Sequence, residues 1–112
     1  MSILGKAVYL AGPMTGYPDY NFPAFEEARK QLRRLGAEVH CPAELGQVEG
    51  WEWEQYMRRG LITMLTNCRA VVVLPGWEQS RGAKMEVGIA AKLRMTVLSL
   101  HEAIEELSQE SS

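Results

Sequence analysis

Apolar positions along the chain follow two alternating patterns, and these predict strands and helices in turn. Four short segments bounded by turn residues predict strands, and the continuously apolar segment at residues 70–74 is typical of a central strand covered on both faces. The four segments lie at residues 6–12, 37–41, 70–74 and 96–98. Between these segments, apolar residues recur at intervals of three and four, which predicts helices. The pattern therefore predicts strands and helices in strict alternation, ending on a short helix after the fourth strand.

The predicted helices have recognisable ends and apolar stripes. Asn21 is a predicted N-cap for the first helix, and Gly36 supplies its C-terminal stop. Ser99 and Glu102 have the spacing of a capping box at the start of the last helix. The third helix is predicted over residues 81–94. The predicted stripe of the second helix consists of Trp53, Met57, Leu61, Met64 and Leu65.

This alternation of elements implies a parallel sheet with helices on both faces and right-handed crossovers. We predict one α/β domain over residues 1–108, a flavodoxin-like or Rossmann-like three-layer sandwich, and a frayed tail at 109–112. The expected strand order is 2-1-3-4, with a short fifth strand as an alternative. In that order the switch point lies between strands one and three, where ligands bind in open α/β sheets. The loops at residues 12–19 and 76–80 are therefore expected to face each other across one crevice.

Composition limits the classes of partner. The chain has 112 residues and a net charge of −2, which argues against duplex nucleic acid as a partner but leaves nucleotides open as small ligands. Cys41 and Cys68 lack metal-ligand spacing, so we predict reduced thiols, no metal and no cofactor. No apolar stretch approaches the roughly 20 residues of a membrane span, and the first residues lack a signal-peptide pattern. We expect a cytoplasmic protein without a membrane partner. The small domain, with Trp51 as a candidate interface anchor, favours a homo-oligomer.

Glu86 is the residue with the strongest indication of chemistry. In a helix over residues 81–94 it shares one stripe with Ile89, Ala90 and Leu93, at spacings i, i+3, i+4 and i+7. Glutamate is rarely buried without a partner, so a glutamate on this stripe is either salt-bridged or functional. The spacing alone leaves both interpretations open.

Two segments resemble the signature stretches of the nucleoside 2-deoxyribosyltransferase superfamily, which includes the 2'-deoxynucleoside 5'-monophosphate N-glycosidases. They are Val8-Tyr9-Leu10-Ala11-Gly12-Pro13 and Gly82-Ala83-Lys84-Met85-Glu86-Val87-Gly88-Ile89-Ala90. The stretches at residues 16–25 and 74–83 are similar to a compact branch met in phage and prophage genomes. The resemblance extends from about residue 8 to residue 97.

The resemblance implies cleavage or transfer of an N-glycosidic bond through a covalent ester on Glu86, since a carboxylate can attack an anomeric carbon. It also implies that Tyr9 orients this carboxylate; packing of the ring in the core is the alternative. Ser80 stands where the deoxyribosyltransferases carry an aspartate and the N-glycosidases a phosphate-binding serine. With Arg81 and the amides near Gly82 it would form an anion site, which favours a 5'-phosphorylated substrate; an N-cap is the alternative. The predicted substrate-binding residues are Gly12, Pro13, Met14, Thr15, Gly16, Asp19, Gly76, Trp77, Ser80, Arg81 and Gly82.

Two departures from the related enzymes weaken the prediction of activity. Gly60 and Arg69 stand where the relatives carry aspartates, one of which positions or protonates the leaving base. Asp19, Glu44 and Glu78 are candidate replacements, and we expect Gly60→Asp to restore an acid beside the base. A nucleotide-binding module without catalysis is therefore an alternative function, and a purely structural protein is a third.

The tryptophans divide by their predicted positions. Trp77 lies in the loop before the helix of Glu86, so we expect its ring to cover the ligand by stacking. Trp53 falls on the apolar stripe of the second helix, which predicts a core residue.

Overall fold

The computed structural model describes residues 7–42 and 48–110, in which four strands alternate with four α-helices. The elements are β1 (Ala7–Ala11), α1 (Phe22–Arg34), β2 (Glu38–His40), α2 (Trp53–Asn67), β3 (Ala70–Val73), α3 (Arg81–Lys92), β4 (Thr96–Ser99) and α4 (Leu100–Glu110). Short 3-10 helices at Pro18–Asn21 and Trp77–Gln79 lie in the loops after β1 and β3. The element order predicted from the apolar pattern is confirmed. Glu44 and residues 111–112 lie outside the described residues.

The four strands form one parallel sheet in the order β2-β1-β3-β4, as predicted. Within the described residues the sheet has no fifth strand. Tyr9 in β1 is in register with His40 in β2 and Val71 in β3. All four residues of β3 are buried, which agrees with its continuous apolar sequence.

Helices cover both faces of the sheet and create two apolar cores. On one face α1 and α4 contribute Phe25, Leu32 and Leu107, while on the other α2 and α3 contribute Met64 and Ala90. These layers confirm the predicted three-layer sandwich. None of the described helices combines the length and apolarity needed to span a membrane. The homo-oligomer and the cytoplasmic location stay predictions.

The predicted stripes of α2 and α3 are correct only in part. Within α2 the buried residues are Gly60 and Met64, whereas Leu65 is 46% exposed. Leu65 follows Met64 by one residue, about 100° around the helix, so it turns away from the sheet. Glu86 and Ala90 of α3 are buried as predicted, but Leu93, the C-cap just after the helix end at Lys92, is 58% exposed.

The two predicted helix starts differ in outcome. The predicted capping box of α4 is present, since Ser99 N donates to Glu102 Oε1 at 2.8 Å and Glu102 N donates to Ser99 Oγ at 3.1 Å. Asn21 occupies the N-cap position of α1 but makes no capping hydrogen bond. Its backbone is left-handed, with φ of 63°, and its side chain donates to the Pro13 carbonyl at 2.9 Å. Asn21 therefore ties the loop after β1 to the start of α1.

Candidate functional site

A cavity of about 1100 Å³ lies at the carboxyl edge of the sheet. Its walls come from the loops after β1 and β3, from the end of β2, from α2 and from the start of α3. This is the crevice expected at the switch point between β1 and β3. Its size and concave shape suit a small-molecule ligand.

Glu86 and Tyr9 form a buried hydrogen-bonded pair in the wall of this cavity. Glu86 on α3 is 6% exposed and Tyr9 on β1 is 1% exposed. The Tyr9 hydroxyl donates to Glu86 Oε2 at 2.7 Å. The contact links β1 to the helix that follows β3, and the partner of the buried carboxyl is a tyrosine rather than a cation.

Burial determines the protonation of this pair. Loss of water raises the pKa of Glu86 to about 7, although the hydrogen bond from Tyr9 acts in the opposite direction. Burial, and then the charge of Glu86, raise the pKa of Tyr9 well above its usual value. Tyr9 therefore remains a proton donor near neutral pH, where Glu86 exists in both its ionised and its protonated form.

The structure brings most of the sequence-predicted residues to the cavity. Those that line it are Tyr9, Gly12, Pro13, Met14, Thr15, Gly76, Ser80, Arg81, Gly82 and Glu86. Gly16, Asp19 and Trp77 are not among the lining residues. Gly16 and Asp19 are exposed in the loop after β1.

Trp77 and Trp53 have positions opposite to those predicted. Trp77 packs against the apolar core under α2 and α3 and borders a separate small recess beside Ser99, so the prediction that it covers the ligand is wrong. Trp53 is the first residue of α2 and lines the cavity, where the Arg81 guanidinium lies 3.9 Å from its ring centroid. The prediction of a core Trp53 is therefore also wrong.

The start of α3 combines a helix cap with an anion-binding arrangement. Ser80 is the N-cap, and its Oγ accepts a hydrogen bond from Ala83 N at 3.2 Å. A hydroxyl that accepts one bond can still donate another, so the cap does not prevent contact with a ligand. Arg81 and the first residues of α3 line the cavity. The positive charge of Arg81 and the positive end of the helix dipole favour a negatively charged group at this part of the cavity.

Aromatic side chains that the sequence analysis did not assign to the site form much of the wall. They include Tyr17, Tyr20, Phe22, Trp51 and Tyr56. The Trp51 and Tyr56 rings meet edge to face, with centroids 5.2 Å apart and planes at 71°. The concentration of aromatic residues over 51–56, at the start of α2, was the available signal. Only the packing of α2 shows that this segment faces the cavity.

Gly60 lies on the buried face of α2, directly against the Tyr9–Glu86 pair. A Cβ atom at this position would lie 2.5 Å from the Tyr9 hydroxyl and 3.0 Å from Glu86 Oε2. The position does border the cavity, as predicted. This geometry opposes the expectation that Gly60→Asp supplies an acid, because the side chain would meet the hydroxyl of a buried tyrosine; the effect on activity stays a prediction.

The candidate replacement acids also need correction. Asp19 and Glu78 do not line the cavity. The titratable side chains that do line it beside the Tyr9–Glu86 pair include His40 and Glu49. His40 neighbours Tyr9 in the sheet, and its Nε2 lies 2.8 Å from Glu38 Oε2. A carboxylate partner of this kind fixes the orientation of an imidazole ring.

The cysteines and acidic residues form no metal-binding group within residues 7–42 and 48–110. Cys41 and Cys68 are buried thiols, and burial raises the pKa of Cys68 to about 12. Such a thiol stays protonated near neutral pH and fills the interior as a small apolar group.

Comparisons with known proteins agree with this fold. Residues 6–99 match the family described as "Domain of unknown function (DUF4406)", and the chain belongs to that family. The structure is similar to a 2-deoxyribosyltransferase from the psychrotolerant bacterium Bacillus psychrosaccharolyticus, with a TM-score of 0.65 and 22% identity over 83% of this chain and 70% of the other. It is also similar to a 2-desoxiribosyltransferase from Leishmania mexicana, with a TM-score of 0.65 and 20% identity over 84% of this chain and 63% of the other. No curated protein matches. The chain thus has the deoxyribosyltransferase fold.

Proposed function

We propose that the protein cleaves or transfers the N-glycosidic bond of a nucleoside or nucleoside 5'-monophosphate, with Glu86 as the nucleophile. The observation that carries this proposal is the buried Glu86 carboxyl, held by Tyr9 in the wall of a cavity at the switch point of the sheet. A charged group in such a place is costly to bury, and residues with strongly perturbed pKa values in clefts are frequently functional.

The chemistry follows from the two oxygens of the carboxylate. Tyr9 engages Oε2, so Oε1 is the oxygen that attacks the anomeric carbon. The bond from this carbon to the base nitrogen breaks, its electron pair leaves with the base, and a glycosyl ester forms on Glu86. Water or a second base then attacks the same carbon and releases the carboxylate. Ionised Glu86 is the reactive form, and Tyr9 holds it in place.

The substrate preference follows from the walls of the cavity. A 5'-phosphate fits the start of α3, where Ser80, Arg81 and the helix amides offer hydrogen bonds and positive charge. The Trp51 ring borders the same cavity and can stack on a base, whereas the Trp53 ring lies against Arg81 at the phosphate end.

A nucleotide-binding module without catalysis is the second candidate function. It is favoured by Gly60, because the aspartate that the related enzymes use near the leaving base has no space at this position while Tyr9 keeps its place. His40 and Glu49 are the groups in the described wall that could assist the base in its stead.

Incubation with a panel of nucleosides and their 5'-monophosphates, scored for free base by chromatography, tests the enzymatic function. Glu86→Gln keeps the size of the side chain and should abolish base release. Glu78→Gln makes the same chemical change outside the cavity and should leave release unchanged. A glycosyl adduct on the peptide containing Glu86, seen by mass spectrometry after rapid quenching, would support the covalent step.

Calorimetric titration with the same compounds separates the two candidate functions. Tight binding of a monophosphate by wild type and by Glu86→Gln, with no base released by either, would contradict catalysis and favour the binding module. Equal affinity for a nucleoside and its 5'-monophosphate would contradict the phosphate contact at Ser80 and Arg81.

A further inference from the structure

Gly60 is an unusual residue for the middle of α2, and helix propensity gives no reason for it. Glycine in a helix interior is unfavourable relative to alanine because it loses more backbone freedom on folding. Gly60 is buried at the centre of α2, with seven residues of the helix before it and seven after it. Its presence therefore requires a packing reason that outweighs this cost.

The packing reason is the Tyr9 hydroxyl. A Cβ atom at position 60 would lie 2.5 Å from this oxygen, closer than such atoms approach in folded proteins, but 3.7 Å from Tyr9 Cζ, an ordinary contact. The hydroxyl thus occupies the space that a side chain at position 60 would take. The ring cannot easily move aside, because Tyr9 is buried in the core between the sheet and α2.

We propose that Gly60 is a positioning residue: because it has no side chain, the backbone of α2 closes over the Tyr9–Glu86 pair and keeps the tyrosine hydroxyl on Glu86 Oε2. In this arrangement the helix also shields the carboxyl from water, which strengthens a hydrogen bond to it. A chain with a larger residue at this position has to hold the helix farther from the pair or place the hydroxyl elsewhere. The inference concerns the carboxyl on which the proposed function rests, but it is tested without substrate, so the two can fail separately.

Four variants of the full chain test this role: Gly60→Ala, Tyr9→Phe, their combination, and Gly88→Ala as the control. Gly88 lies on α3, two residues from Glu86, and a Cβ atom there has no neighbour within 4 Å in the described residues. Two measurements are made on each. One is the titration of Glu86, followed by the infrared band of its protonated carboxyl, which the Glu86→Gln spectrum identifies. The other is the midpoint of thermal unfolding.

Gly60→Ala and Tyr9→Phe should each raise the pKa of Glu86 by about one unit, because each removes a hydrogen bond that stabilises the charged form. In the Tyr9→Phe background, adding Gly60→Ala should change the titration no further and should restore part of the lost thermal midpoint, since the colliding oxygen is gone. The contact with Glu86 Oε2 is at the end of a side chain that can shift by a few tenths of an ångström. Gly88→Ala should leave the titration unchanged and raise the midpoint.

Two results would overturn the proposal. One is an unchanged Glu86 titration in a folded Gly60→Ala protein. The other is an equal fall of the thermal midpoint on adding Gly60→Ala to wild type and to Tyr9→Phe, which indicates general packing rather than a conflict with the hydroxyl. If Gly60→Ala alone fails to fold, the combined variant decides: folding supports the proposal, and failure contradicts it.

Discussion

Replacing Glu86 by glutamine should make the stability of the protein less dependent on pH. The pKa of Glu86 is about 7 in the folded protein, against its ordinary value of 4.5. Between these values the folded protein binds more protons than the unfolded chain, so the free energy of unfolding falls as the pH rises. Below this range both states are protonated at Glu86, and above it the full cost of a buried charge is present. Glutamine carries no charge at any of these pH values, and its amide oxygen can still accept from Tyr9.

The size of the effect follows from the two pKa values. A difference between 4.5 and about 7 corresponds to on the order of 3 kcal/mol, at about 1.4 kcal/mol for each pKa unit. Burial, which leaves Glu86 only 6% exposed, is the cause, and the hydrogen bond from Tyr9 already offsets part of it. A domain has about 5–15 kcal/mol of stability in total, so the change is a large and measurable part of it.

Urea unfolding of wild type and Glu86→Gln, followed by tryptophan fluorescence at several pH values from 4.5 to 8.5, measures this effect. The difference between the two proteins cancels the other titrating groups that they share. The variant should gain on the order of 3 kcal/mol relative to wild type across this range. A difference that stays constant with pH would refute the reasoning, because it would mean that burial does not raise the pKa of Glu86 in the folded protein.

Three further perturbations have expected outcomes. Base release should rise as the pH increases through about 7, because ionised Glu86 is the reactive form, and a flat profile between pH 5.5 and 8.5 would contradict this role. Ser80→Ala should lower the free energy of unfolding by about 1 kcal/mol through loss of the cap to Ala83 N. Calorimetry should show that it weakens binding of a 5'-monophosphate more than that of the nucleoside, whereas equal weakening would leave Ser80 a cap alone. Gly60→Asp should lower the thermal midpoint and any base release, because its side chain displaces the Tyr9 hydroxyl. Increased release would contradict this expectation, because it would show that Tyr9 and Glu86 can move to make room for an acid.

The sequence by itself was sufficient for the architecture of this protein. The apolar runs at residues 70–74 and at the N-terminal strand, with helical spacing between the runs, determine the order of elements because each pattern depends only on neighbouring residues. Parallel strands joined by helices then leave few topologies, and the order β2-β1-β3-β4 is among them. The family resemblance also implied the contact between Tyr9 and Glu86, which lie in β1 and on the helix after the adjacent strand β3.

Tertiary structure alone decided what surrounds this pair. Trp53 and Trp77 exchanged their predicted roles because the direction of a side chain at the end of an element depends on how that element packs, which periodicity does not contain. The sequence indicated that Gly60 replaces an acid. In the structure, the Tyr9 hydroxyl fills the space that a side chain at position 60 would occupy. Such contacts join β1 to α2, 51 residues apart along the chain, and only the packing of the helix on the sheet brings them within a few ångströms.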